Sequence, residues 1–169
     1  MPTTGEPSPN PRFRRLLLAV ELPAASGVPE ARALALAAEL HASVVVVSVL
    51  ESSAHLPVTT RRVDQLREVH ERAAHDLTAR GRALGVDVDY LIWQGDPADS
   101  IIEAAGSELV DLIVNGAPTD DGLSEPRTRA VSDAVLRRAT VPVLVVPEPS
   151  RPAPRAVRSP APGSPVVLG

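Results

Sequence analysis

Residues 95–116, GDPADSIIEAAGSELVDLIVNG, decide the fold, because they place a helix directly before a buried strand. Asp96 has the short acceptor side chain that caps helix N-termini, and Pro97 suits the first helical turn. The apolar run DLIVNG has the length and composition of a strand. We therefore predict a helix over residues 97–109 and a strand over residues 111–116.

The segments on either side repeat this alternation of strands and helices. Apolar runs predict further strands over residues 15–21, 43–51, 87–94 and 142–147, and helical patterns occupy residues 30–42, 60–84 and 128–139. Four consecutive valines in the second run favour a strand that is buried on both faces. Because this alternation implies right-handed crossovers, we predict a single α/β domain with a doubly wound, Rossmann-like parallel sheet. Its five strands should follow the order 3-2-1-4-5, flanked by four helices.

The longest predicted helix, residues 60–84, is amphipathic and ends at Gly85. The apolar residues near one of its faces are Val63, Leu66, Val69, Ala73, Leu77 and Leu84. His70 and His75 on this helix miss the i, i+4 spacing that points two imidazoles at one metal. We interpret all four histidines, including His41 and His55, as solvated or core-edge residues and predict no metal site.

Composition excludes several classes of function. The chain has no cysteine and all 17 of its basic residues are arginine, so it has no P-loop lysine, Schiff-base lysine or thiolate nucleophile. A net charge of −4 argues against nucleic-acid binding, which needs a basic surface. No apolar run is long enough for a membrane span and the start lacks a signal-peptide pattern, so we expect a soluble, cytoplasmic protein without membrane contact.

Prolines mark the ends of the expected domain. Residues 1–12 and 149–169 are rich in proline and cannot bury enough apolar surface to offset the entropy of ordering. We therefore predict two disordered tails around one folded domain, residues 13–148. In a doubly wound sheet, ligands bind beyond the carboxyl ends of the strands where the winding reverses, here between strands one and four. The loops that face each other there begin at Glu21 and Gly116.

Two motifs resemble those of a known family. Residues 95–116 have G-D-P before a helix and DLIV-x-G after it, and residues 130–148 have the sequence AVSDAVLRRATVPVLVVPE. Both are similar to the C-terminal half of the universal stress protein family, the UspA-type domain, and the similarity extends more weakly over residues 14–148. The resemblance implies a role in stress responses, in a family with members that bind ATP and members that do not.

The ATP-binding members share a glycine pattern. Two residues separate its first and second glycines, nine residues separate the second and third, and a serine or threonine follows the third. This pattern falls on Gly116, Thr119, Arg129 and Ala130, so only the first glycine is kept. Thr119 and Arg129 replace glycines that let a backbone approach phosphate, and Ala130 lacks a hydroxyl donor. We therefore predict a degraded nucleotide site and expect no cofactor, neither ATP nor magnesium.

Further positions take family roles from the resemblance. The family's first-strand aspartate, a contact to ribose or a metal-associated water, falls on Glu21, and an adenine-contacting backbone position falls near Val49. Glu21 can instead cap local backbone N–H groups. Ser132 matches a family serine and can touch a ligand or satisfy nearby backbone groups. The guanidinium of Arg129 can bind phosphate bidentately or pair with a loop carboxylate.

Two functions remain open on the sequence. The first is a stress-response or regulatory protein that binds an unknown protein partner, has lost ATP binding and is not an enzyme, since no G-x-S-x-G or other catalytic motif is present. The alternative is a sensor that retains ATP through Arg129 and Ser132. An enzyme is the least favoured interpretation.

The last predicted strand, residues 142–147, should lie at an edge of the sheet, where an apolar strand invites pairing with another chain. In the resembled family this strand commonly mediates dimerisation. We therefore predict a symmetric homodimer through Val143, Leu144, Val145 and Val146.

Overall fold

A computed structural model describes residues 13–20, 27–50, 60–117 and 126–147. Its strands are β1 (Arg15–Val20), β2 (Ser43–Leu50), β3 (Val88–Gln94), β4 (Leu112–Ala117) and β5 (Val143–Pro147), and its helices are α1 (Val28–Leu40), α2 (Thr60–Ala83), α3 (Pro97–Ser107) and α4 (Pro126–Arg138). Every predicted strand and helix is present, in the predicted order. None of the helices in the described ranges is both long and apolar enough to cross a bilayer.

The strands form one parallel sheet in the order β3-β2-β1-β4-β5, which confirms the predicted fold class and topology. The central strand is β1, whose Leu17 pairs with Val45 of β2 on one side and Ile113 of β4 on the other. All three side chains are fully buried. The inner strands are continuous apolar runs because helices cover both faces of the sheet.

Alternate side chains of the strands fill two separate core layers. Leu16 and Leu18 of β1 pack in the layer that contains Leu34 of α1 and Leu77 of α2. Leu17 packs in the other layer, with residues of α3 and α4. Because each inner strand supplies both layers, the core holds the carboxyl ends of β1 and β4 in fixed positions.

The G-D-P turn before α3 forms as the sequence predicts. Asp96 is the N-cap, and its Oδ1 accepts a hydrogen bond of 2.9 Å from the backbone N–H of Asp99. Gly95 has a φ of 146°, which is strained for any residue with a Cβ. Its N–H donates to the carbonyl of Leu50 at 3.1 Å, so the turn is joined to the end of β2.

Helix α2 is rotated about its axis relative to the predicted apolar face. His70 is 3% exposed and Leu77 is 4% exposed, whereas Val69 is 39% exposed. Gly81 continues this buried stripe and brings α2 so close to β3 that a Cβ at this position would overlap Val88. Of the two interpretations of His70, as a solvated or a core-edge residue, the solvated one is therefore wrong. Burial lowers the pKa of its imidazole from the usual 6.5.

The other predictions for α2 and the histidines have mixed outcomes. Leu84 follows the last residue of α2 and is 51% exposed, because the helical face ends before it. His41 and His75 are exposed, which confirms them as solvated residues. His55 and the side chains of Val63 and Leu66 lie outside the described residues.

Candidate functional site

The carboxyl ends of β1 and β4 lie side by side where the winding of the sheet reverses. Ala19, next to the last residue of β1, pairs with Asn115 of β4, and Gly116 follows in β4. Helix α4 returns to this end of the sheet and contacts β4. The carboxyl ends of β1 and β4 therefore mark the place where the topology predicts a ligand site.

Two of the predicted site residues, Glu21 and Thr119, lie outside the described residues. The others lie within them: Val49, Gly116, Arg129, Ala130 and Ser132. Val49 is half-buried near the end of β2 and packs against the core layer of α3 and α4. Because β1 lies between β2 and β4, Val49 is separated from Gly116 by one strand.

Ser132 of α4 is connected to the end of β4 by two hydrogen bonds. Asn115 Nδ2 donates to Ser132 Oγ at 2.9 Å, and Ser132 Oγ donates to the carbonyl of Gly116 at 3.1 Å. Ser132 is 5% exposed and Asn115 is 7% exposed. The hydroxyl therefore uses its proton and one lone pair on groups of the protein itself, and it fixes α4 against the strand end.

The opening turns of α4 contain positions 129 and 130, where the family pattern has a glycine followed by a serine or threonine. Helix α4 begins at Pro126, and both Arg129 and Ala130 are exposed. The site thus offers a positive charge near a helix N-terminus, where anions are favoured, but no hydroxyl at position 130. Within the described ranges, no three His, Cys, Asp or Glu side chains are grouped so that they could hold a metal.

Asn115 is the residue of the site that was not predicted. It stands in β4 after three apolar residues, within a run whose pattern predicts a strand but no site residue other than Gly116. A buried amide needs hydrogen-bond partners, so an asparagine inside such a run is the signal that could have identified it. Its partner could not be identified in this way, because Ser132 lies 17 residues away in another element.

The last strand, β5, forms one edge of the sheet, as predicted, and β4 is its only neighbour among the strands in the described part of the chain. Leu144 is 39% exposed, Val146 is 7% exposed, and Val143 and Val145 are half-buried. The outer backbone edge of such a strand presents N–H and C=O groups to any additional strand.

Comparison with known proteins decides the family. The sequence profile described as "Universal stress protein family" matches residues 12–147. The chain belongs to the universal stress protein family. This match confirms the resemblance that the motifs at residues 95–116 and 130–148 indicate.

Relatives of this universal stress protein include both sequences and solved structures. "Universal stress protein MJ0531" of Methanocaldococcus jannaschii is 31% identical over 86 residues, which cover 51% of each chain. The chain thus spans about half the length of the curated relatives it matches. A family member from Burkholderia pseudomallei has a TM-score of 0.64 and 27% identity, over 83% of this chain and 100% of its own. A universal stress protein solved with cAMP has a TM-score of 0.59 and 21% identity, over 80% of this chain and 98% of its own, a likeness of fold alone.

Proposed function

We propose that this universal stress protein is a regulatory protein of the stress response that acts in the cytoplasm as a homodimer, binding a protein partner. In this proposal it is not an enzyme, and its ATP binding is lost or greatly weakened. The observation that supports this loss is the commitment of the Ser132 hydroxyl to Asn115 and Gly116, because Ser132 then cannot replace the hydroxyl that is missing at position 130. A buried hydroxyl that donates its proton to a backbone carbonyl has no proton left for a phosphate oxygen.

Positions 129 and 130 support the same conclusion. Backbone that holds phosphate needs glycine for close approach, and Arg129 places a long side chain there. Ala130 has no hydroxyl to donate to phosphate or to a metal-bound water. Each lost hydrogen bond to a charged group removes about 1.5–3 kcal/mol, which weakens affinity about ten-fold to a hundred-fold. We therefore expect no resident nucleotide and no magnesium ion.

A nucleotide-binding sensor is the alternative, and one observation favours it. Arg129 is exposed in the opening turns of α4, where a guanidinium can bind phosphate bidentately. A universal stress protein of this fold has been solved with cAMP. In such a sensor, Arg129 would replace the glycine cradle, and Ser132 would turn its hydroxyl from Gly116 to the ligand.

Calorimetric titration with ATP and magnesium separates the two functions. We expect no micromolar binding by the wild type, and clear binding by Thr119→Gly/Arg129→Gly/Ala130→Ser, which restores the family pattern. The matched control changes another Arg-Ala pair, at the exposed end of α2. The variant Arg82→Gly/Ala83→Ser should not bind ATP. Micromolar binding by the wild type that Arg129→Ala abolishes would establish the sensor and overturn the proposal. ATP hydrolysis by the wild type would contradict the non-enzymatic role.

The dimer is tested at β5. Leu144 is the most exposed residue of the proposed interface, so Leu144→Arg would place a charge where the two edge strands meet. We expect the wild type to sediment as a dimer at concentrations on the order of tens of micromolar, and the variant as a monomer. Leu109→Arg is the control, because Leu109 is 84% exposed in the turn between α3 and β4. A monomeric wild type, or equal effects of both changes, would refute the interface.

A further inference from the structure

Three oxygen-bearing side chains on the α1 and α2 side of the sheet are removed from solvent. Glu30 of α1 is 7% exposed and Ser48 of β2 is 1% exposed. Tyr90 of β3 is half-buried, with an inaccessible hydroxyl oxygen. Among the described residues, Glu30 Oε2 has no hydrogen-bond partner, and the Tyr90 hydroxyl has none other than Ser48, itself one of the three groups. Because buried polar atoms are normally paired, the unpaired Glu30 oxygen points to a ligand on this side of the sheet.

The sheet register and the electrostatics place the three groups together. Tyr90 pairs with Val46 in the adjacent strand, and Ser48 follows Val46 by two residues, so its side chain lies on the same face. Glu30 is in the first turn of α1, the helix that packs on this face. Burial raises the pKa of the Tyr90 phenol, a hydrogen bond with the Ser48 hydroxyl partly offsets this, and the charge of Glu30 raises it further.

The charge of Glu30 has no compensating partner within the described part of the chain. None of the ion pairs found there includes Glu30. Glu30 lies in the first turn of α1, where the positive end of the helix dipole offsets only part of the cost of burying its charge. A buried carboxylate is normally paired with an opposite charge, and the helix dipole alone does not supply one.

We propose that Glu30, Ser48 and Tyr90 form a site for a monovalent cation, potassium, sodium or ammonium, between α1 and the β2–β3 part of the sheet. One carboxylate and two neutral hydroxyls supply three oxygen ligands with a total charge of −1, which a monovalent cation neutralises. A divalent ion would leave a buried positive charge, and Mg²⁺ would also need near-octahedral oxygen coordination. This site is independent of the proposed regulatory function.

Thermal unfolding at constant ionic strength tests the site, with tetramethylammonium chloride replaced by the chloride of potassium, sodium or ammonium. If the dissociation constant is about 10 mM, about 100 mM of the bound cation should raise Tm by about 3–5 °C. Glu30→Gln should abolish this cation-specific shift, and Tyr90→Phe should reduce it. Glu39→Gln, an exposed glutamate on the same helix, should keep the full shift. A wild type without the shift, or a shift retained in Glu30→Gln, would overturn the proposal.

A second measurement uses the wild type alone, so it does not depend on how the variants fold. The chain has 1 tyrosine, so phenolate absorbance reports on Tyr90 alone. A bound cation stabilises the phenolate, so the pKa of Tyr90 should be lower in potassium than in tetramethylammonium at equal ionic strength. Identical titration curves in the potassium, sodium and tetramethylammonium salts would show that a protonated carboxyl or an ordered water, rather than a cation, accompanies Glu30.

Discussion

Replacing Ser132 by alanine tests whether its hydroxyl is a structural group. The change removes the hydrogen bonds at 2.9 Å from Asn115 and at 3.1 Å to Gly116, both in a site where Ser132 is 5% exposed. Each bond contributes about 1 kcal/mol, and a donor or acceptor left buried without a partner costs about 1–3 kcal/mol. We expect Ser132→Ala to lower the free energy of unfolding by about 2–4 kcal/mol.

Urea unfolding followed by circular dichroism measures this loss. Ser107→Ala is the control, because the Ser107 hydroxyl donates at 3.2 Å to the carbonyl of Ala104 within its own helix and is exposed. This control should change stability by less than about 0.5 kcal/mol, the usual range for surface substitutions.

A double-mutant cycle isolates the pair itself. Replacing both partners by apolar groups removes the unsatisfied amide, so Asn115→Leu/Ser132→Ala should be less destabilised than the sum of the two single changes. If Ser132→Ala costs no more than Ser107→Ala, or the cycle is additive, the hydroxyl does not hold α4 against β4. The structural argument against ATP binding would then lose its main support.

Two further predictions concern α2. Gly81→Ala should destabilise the fold by about 1–3 kcal/mol in the same urea assay, because the added methyl group would overlap Val88. The control Gly106→Ala should be neutral or slightly stabilising, because its added methyl group would meet no heavy atom within 4 Å. Equal effects would refute the close approach of α2 to β3. Burial lowers the pKa of His70 below 6.5, so the unfolded state binds its proton first as pH falls. The free energy of unfolding should therefore decrease as the pH falls below about 6.5. His70→Leu should make this decrease with pH smaller, whereas His75→Gln, at an exposed position, should leave it unchanged.

Local sequence signals predicted the elements well because each signal acts over a few residues. Asp96 and Pro97 define the start of α3 through a side-chain cap and a fixed φ, which require no distant contact. The four valines of β2 indicated a strand covered on both faces, and all four are buried. The strand order followed from the right-handed crossovers of a doubly wound sheet.

The same signals predicted only part of the face that α2 turns to the sheet: Leu77 is buried as predicted, whereas Val69 is 39% exposed. Its apolar residues are spread widely enough that more than one face could be buried, and polar residues dominate the helix. Packing against β3 decided between these faces: Gly81 lies over Val88, and the buried stripe consequently passes through Leu77 and His70 rather than Val69. The rotation of a helix depends on many small contacts with its neighbours, which no local pattern contains.

For the candidate site, the sequence by itself determined that Gly116 alone is kept from the glycine pattern and that Arg129 and Ala130 replace its last two positions. Only the tertiary structure decided the state of Ser132, by placing its hydroxyl between Asn115 and the carbonyl of Gly116. The physical reason is one of range. Residue identity and spacing are properties of the chain, whereas a hydrogen bond between α4 and β4 exists only once the sheet register and the helix packing bring them within about 3 Å.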